Sequence, residues 1–271
     1  MDAKLQRRIQ RYGWDKAAGY YEQSWQNQLE PAQSRFLEMA DPKLGERVLE
    51  IACGTGLVTF RVAEKIGVEG EIVGTDISEE MINAALVQTE QLGITNARFI
   101  RMDAENLTFP EASFDVALCS LGLMYVPDPL LALEGMCHVL EPNGRVCVLV
   151  WGRRSQCGWA EIFPIVNARV KSEVCPMFFQ LGGEGVLETT LKQARFAKVQ
   201  VERFSYELNY ATPDDACEAA FAGGPVAMAY FRFDEQTRSE THKEYLASIE
   251  PHRSGNGYAI PGEFVIAHGQ E

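Results

Sequence analysis

Val48-Leu49-Glu50-Ile51-Ala52-Cys53-Gly54-Thr55-Gly56 is a short apolar run that stops in a glycine turn. The run reads as a buried strand, and Leu57 to Ile66 after the turn reads as a helix. Glycines there let the backbone turn sharply and let a ligand approach without a Cβ in the way. Asp76 follows Gly56 by twenty residues and ends the next strand, Glu71 to Thr75. An acidic residue at that place accepts hydrogen bonds from ribose hydroxyls. The stretch therefore predicts a nucleoside cofactor at the carboxyl ends of parallel strands.

Outward from this stretch the pattern keeps alternating. Helices are predicted at Glu79 to Leu92 and Pro129 to Leu140, and strands at Ala97 to Arg101, Phe114 to Cys119 and Arg145 to Trp151. Glu141-Pro142-Asn143-Gly144 reads as a turn. Such alternation predicts an α/β fold: a Rossmann-like, mostly parallel sheet of seven strands with helices on both faces and a helical cap. Residues 1–43 read as helices, with Trp14, Ala17, Ala18, Tyr21 and Trp25 at helical spacing and Pro31 starting a new helix. Beyond the core, helices are predicted at Ser155 to Val170, Leu187 to Arg195, Pro213 to Phe221 and Glu235 to Ile249. The last strands are Lys198 to Leu208 and Phe264 to Ala267. The organisation expected is one domain, 1–271: helices 1–43, a core 44–152, cap insertions near 152–196 and 211–256, and last strands within 198–208 and 259–269.

Composition narrows the partners. The 271 residues hold 25 Lys+Arg against 38 Asp+Glu, a formal charge of −13. That excess disfavours nucleic acid and anionic membrane surfaces, because phosphate contacts need clustered Lys and Arg. Asp2 and four Lys or Arg make residues 1–12 locally +3, so the acidity lies elsewhere. The first eight residues lack a signal-peptide apolar stretch, and no run is long enough to span a membrane. Seven cysteines without a CxxC pair, and only four histidines, argue against a disulfide framework or zinc site. Reduced, mostly buried thiols and a cytoplasmic setting are expected.

The cofactor can be narrowed further. A dinucleotide fingerprint places a third glycine where this chain has Thr59. Glu50 also stands four residues ahead of Gly54, where a carboxylate would oppose a pyrophosphate but suit an ammonium group. With Glu50-x-x-x-Gly54-x-Gly56, then Gly74-Thr75-Asp76-Ile77-Ser78, Met102-Asp103-Ala104-Glu105, Ser113-Phe114-Asp115-Val116 and Leu140-Glu141-Pro142-Asn143-Gly144-Arg145, the chain resembles the class I S-adenosylmethionine-dependent methyltransferases. Within them it is most similar to the type 11, ubiquinone- and menaquinone-methyltransferase-like group acting on small molecules. Each block alone is unspecific, but five in order over about 105 residues are not.

The resemblance implies S-adenosylmethionine as cofactor and S-adenosylhomocysteine as product. It implies that Gly54 and Gly56 line the methionine end with Glu50 and Ala52, and that Asp76 binds the ribose. Ile77 would pack on the adenine, Met81 would be a further cofactor-binding residue, and Asp103 with Ala104 would meet the adenine amino group. Cys119 would offer backbone near the methionine carboxylate, and Tyr21 would cover the cofactor from the helix Trp14 to Tyr21. Relatives often carry a histidine close to Tyr125, which makes Tyr125 the candidate catalytic residue. No Asn/Asp-Pro-Pro-Tyr block follows the fourth strand, where Cys119, Ser120, Leu121 and Gly122 stand, so DNA is not the expected substrate. No Asp-Asn pair suggests a magnesium site, and no metal is expected. Cys119, Cys157, Cys175 and Cys217 lack the surroundings of arsenic-methylating enzymes.

No general base announces itself. His138 ends a helix, and His242 and His252 lie in a polar stretch and read as solvated. The cap is rich in aromatic residues and methionine, which predicts an apolar pocket. Tyr125, Trp151, Arg153, Phe178 and Met228 are the substrate candidates, with Arg153, Arg154 and Arg232 available to an acidic group. The function expected is methyl transfer by in-line displacement to a small, apolar or aromatic metabolite. A non-catalytic cofactor-binding regulator and an NAD(P)-dependent oxidoreductase are the alternatives.

Overall fold

A computed structural model describes residues 3–171 and 175–271. Met1 and Asp2, read above as part of the N-terminal helices and their local charge, lie outside the described residues. So do residues 172–174 of the first predicted insertion.

Five parallel strands build the core: β1 (Arg47–Ile51), β2 (Glu71–Asp76), β3 (Ala97–Arg101), β4 (Phe114–Ser120) and β5 (Leu140–Trp151). Val48, Leu49, Ile51, Val116 to Cys119 and Val146 to Val150 are all buried. Such unbroken apolar runs belong to strands covered on both faces. Two long strands complete the sheet, β6 (Ala197–Tyr210) and β8 (Gly257–Gln270), with β8 antiparallel to both β5 and β6. A two-residue β7 (Arg253–Ser254) pairs with β8, which makes eight strands where seven were expected. The order is β3-β2-β1-β4-β5-β8-β6. Strand succession reverses between β1 and β4, and in open α/β sheets ligands bind in that crevice.

The helices are α1 (Ala3–Ala40), α2 (Thr59–Ile66), α3 (Glu79–Leu92), α4 (Pro129–Val139), α5 (Ile162–Asn167), α6 (Val186–Gln193), α7 (Pro213–Cys217), α8 (Ala227–Tyr230) and α9 (Glu235–Ile249). Ser78 and Asp128 cap α3 and α4 by accepting from the Met81 and Leu131 N–H groups. No helix among the described residues is long and apolar enough to cross a membrane.

Four local expectations need correction. Pro31 does not start a helix but lies inside the 38-residue α1. Proline there removes a hydrogen bond, yet the helix is stapled to β6 on both sides of it. Gln28 exchanges two 2.7 Å hydrogen bonds with the Asn209 backbone, and Arg35 pairs with Glu202. Glu141–Gly144 is not a separate turn but an irregularity within β5, with Asn143 at φ +69°. The predicted helix Ser155 to Val170 shrinks to α5. Its first part docks on β8 instead, through Gly158 N–H to the Pro261 carbonyl at 2.8 Å. The predicted helix from Pro213 ends at Cys217 and widens into a π-helical turn over Glu218–Ala222, closed by Gly223 N–H to the Glu218 carbonyl.

Candidate active site

The carboxyl ends of β1 and β4 converge at the crevice. Ala52 and Leu121 both hold positive φ, +51° and +58°. A Cβ on Gly122 would overlap that of Ala52, so only glycine fits where the two strand ends cross. Strained backbone of this kind clusters at functional sites.

Gly54, at φ +57°, lies beneath the Tyr21 ring. Gly56 serves a different end. Its φ is +94°, and a Cβ there would stand 2.6 Å from the Phe60 ring of α2. It shapes the turn and seats Phe60, and it does not line the cavity as expected.

A cavity fills the crevice. Tyr21, Glu50, Ala52, Gly54, Asp76, Ile77, Met81, Asp103 and Ala104 line it. Cys119 does not, being wholly buried within β4; Ser120 and Leu121, just beyond it, do. The Ser120 hydroxyl is buried and has no hydrogen-bond partner.

Two carboxylates dominate the electrostatics. Asp76, 7% exposed, accepts the Gly54 N–H at 2.9 Å and the Ser78 N–H at 2.8 Å. Burial pushes its pKa up to about 6, against the pull of those N–H groups. Glu50, 1% exposed, accepts the Thr59 hydroxyl at 2.5 Å. Burial pushes its pKa up to about 8, with the Thr59 bond opposing and the Asp76 charge adding. Two buried acids facing one cavity are easiest to ionise when a cation enters.

Helix α1 supplies a whole wall. Arg7, Gln10, Trp14 and Tyr21 line the cavity, and their spacing puts them on one helical face. Arg7 Nε bonds Glu105 at 2.6 Å and stands 3.2 Å from Asp103. Glu105 also accepts the Asp128 N–H at 3.0 Å, and Gln10 donates to the Cys175 sulfur. Arg7 and Gln10 were missed in the sequence. The signal was available, since Arg7 lies one and two heptads before Trp14 and Tyr21.

A second cavity shares Trp14, Tyr21, Leu121 and Tyr125 with the first. Its walls are a continuous belt of rings. Tyr21 meets Trp14 at 5.7 Å, Trp14 meets Tyr125 at 5.1 Å, and Tyr125 meets Phe178 at 5.3 Å. Phe178 meets Trp159 at 5.5 Å, Trp159 meets Trp151 at 4.8 Å, and Trp151 meets Trp25 at 6.2 Å. These separations suit edge-to-face contact. Burial lifts the Tyr125 phenol well above its ordinary pKa.

Of the substrate candidates, Tyr125, Trp151 and Phe178 line this second cavity. Arg153 does not: its side chain is held by Glu263, with Nη2 to Oε1 at 2.9 Å. Met228 packs beside Gly13 of α1, outside both cavities. Arg154 pairs with Glu161. His242 is not solvated as expected. It is half-buried, stacks on Phe221 and Tyr230, and shares a 2.9 Å hydrogen bond with the Tyr230 hydroxyl. Desolvation lowers its pKa.

Comparison with known proteins accords with this geometry. Residues 42–164 match the family model of a methyltransferase domain. Aklanonic acid methyltransferase DauC of Streptomyces sp. (strain C5) is 34% identical over 133 residues, 49% of this chain and 60% of that protein. Demethylmenaquinone methyltransferase of Listeria welshimeri is 34% identical over 119 residues, 44% of this chain and 50% of that protein. The chain thus spans about half to three fifths of the curated relatives it matches. The crystal structure of YcgJ from Bacillus subtilis shares the fold, with a TM-score of 0.65 at 16% identity over 89% of this chain and 98% of that one.

The residues of the larger cavity fit S-adenosylmethionine. The Gly54 cradle, the unpartnered Ser120 hydroxyl and the paired buried acids give a cationic, hydroxyl-bearing nucleoside its complementary groups. A pyrophosphate would face Glu50 and Asp76 instead.

Proposed function

We propose that this chain transfers a methyl group from S-adenosylmethionine to a small apolar or aromatic molecule. The observation that carries the reading is the pair of neighbouring cavities that share Trp14, Tyr21, Leu121 and Tyr125. One holds the buried acids Glu50 and Asp76 at the strand ends, and the other is a ring-walled box.

In this reading Asp76 accepts from the ribose hydroxyls, and Ile77 and Met81 flank the adenine. Asp103 and Ala104 face the adenine amino group. Glu50 and the Ser120 hydroxyl stand near the methionine end. When bound, the cofactor supplies a methyl carbon already activated by its sulfonium. The protein's task is then mainly to orient the acceptor and exclude water. The ring belt does the second. Tyr125, at the junction, orients the acceptor, and its raised pKa keeps it a hydrogen-bond donor rather than a base.

The seven cysteines are all free thiols, which supports a reducing, cytoplasmic setting. The −13 charge supports small-molecule rather than nucleic-acid substrates.

The test is formation of S-adenosylhomocysteine from S-adenosylmethionine with a panel of hydroxylated aromatic acceptors. Turnover with DNA or protein but with none of these acceptors overturns the reading. Calorimetry adds a residue-level check. Asp76→Ala should cost about 1–3 kcal/mol of cofactor affinity, and unchanged binding refutes the ribose assignment.

A further inference from the structure

The ring belt has a polarity that its apolar surface hides. Trp159 is 2% exposed and lines the second cavity, yet its indole N–H has no hydrogen-bond partner. Its neighbour Trp25 differs: that indole donates to the Gly223 carbonyl at 3.0 Å. Tyr125 packs on the same Phe178 ring and lines the same cavity, which brings a hydroxyl donor to that wall as well. Buried polar groups are nearly always paired, so an orphaned donor beside a cavity marks the place of a missing acceptor. An indole N–H can only donate. None of the described lining residues carries a charge.

An aromatic box without a donor suits a cation, which its ring faces attract. A donor in the wall reverses that preference, because an N–H repels an ammonium and seeks an oxygen. We propose that the second cavity binds a planar aromatic acceptor through one of its oxygens, held by the Trp159 indole N–H and the Tyr125 hydroxyl, and discriminates against amines. This rests on the methyl-transfer reading for the acceptor's role. It narrows the methylated atom to an oxygen, or to a carbon beside one, and excludes a charged nitrogen.

The test uses three probes of one shape: naphthalene, 2-acetylnaphthalene and 2-naphthylmethylammonium. Binding is followed by tryptophan fluorescence on the full chain, with and without S-adenosylhomocysteine. The ketone should bind roughly fivefold to tenfold more tightly than naphthalene, and the ammonium most weakly. Trp159→Phe should abolish the ketone's advantage over naphthalene, read as the ratio of the two affinities, whatever the change in either alone. A wild-type preference for the ammonium, or a ketone advantage that survives Trp159→Phe, overturns the proposal. If Trp159→Phe does not fold, Tyr125→Phe replaces it: reduction of the advantage supports the proposal and full retention refutes it. A thermal shift with S-adenosylmethionine reads the methyl-transfer assignment separately. Cofactor binding without ketone preference sinks only the inference about the cavity. Ketone preference without cofactor binding sinks only the methyl-transfer reading.

Discussion

The Thr59 hydroxyl donates to the Glu50 carboxylate across 2.5 Å, in a site where both side chains are buried. Thr59 occupies the position that a dinucleotide-binding turn gives to its third glycine. Here the residue ties the first turn of α2 to the strand before the glycine turn. Thr59→Val keeps the shape and removes the donor. It should destabilise the chain by about 1–3 kcal/mol, most at a pH where Glu50 is ionised. Urea unfolding of both forms at pH 6 and pH 9 checks this, and an equal or smaller loss at pH 9 counts against it.

The buried acids also set a pH dependence. An ordinary glutamate titrates near 4.5, and burial holds Glu50 at about 8 in the folded chain. Between those values the folded state holds a proton that the unfolded state has released, so stability falls as pH rises. The contribution is fully present below 4.5 and lost through about 8. Asp76, raised from 3.8 to about 6, acts in the same direction over a lower window. Glu50→Gln should flatten the unfolding free energy between pH 6 and 8. A cationic ligand should release protons on binding in that range, which calorimetry in two buffers of different ionisation enthalpy would measure as a buffer-dependent heat.

Arg7 joins the start of α1 to the loop after β3 through Glu105 and Asp103. Burial lowers its pKa less than Glu105, Asp103 and Asp128 raise it. Arg7→Leu should cost about 1–3 kcal/mol in global stability, since it takes a partner from the Glu105 carboxylate, whose side chain is 2% exposed. Its larger effect should be local: faster amide exchange over the first turns of α1 and faster cofactor dissociation. Unchanged exchange there would show that Arg7 does not hold this end of the helix.

Gly122→Ala places a methyl group against Ala52 where β1 and β4 cross. Overpacking of this kind costs about 1–3 kcal/mol. The strand ends must separate to admit it, so cofactor affinity should fall as well. Denaturation and cofactor titration of the variant check both. Wild-type values in either would mean that the crossing has slack.

The parallel core was legible because its signals are local. Apolar runs, the glycine turn and the caps Ser78 and Asp128 act within a few residues of themselves. The cavity walls from β1, β2 and the loop after β3 were legible for the same reason. What escaped depends on distant partners. Nothing near Pro31 announces that Gln28 and Arg35 meet β6 some 170 to 180 residues later. Nothing near Arg153 announces Glu263, which holds that side chain outside the second cavity. Trp159 and Phe178 were visible as cap aromatics, but only packing selects them from the other rings. His242 reads as solvated because its stacking partners come from other turns of the chain.

Helix α1 contributes Trp14 and Tyr21 to both cavities at once. The two compartments therefore share a door. Any displacement of this stretch of α1 changes the nucleoside site and the ring belt together, so the two volumes are mechanically one unit.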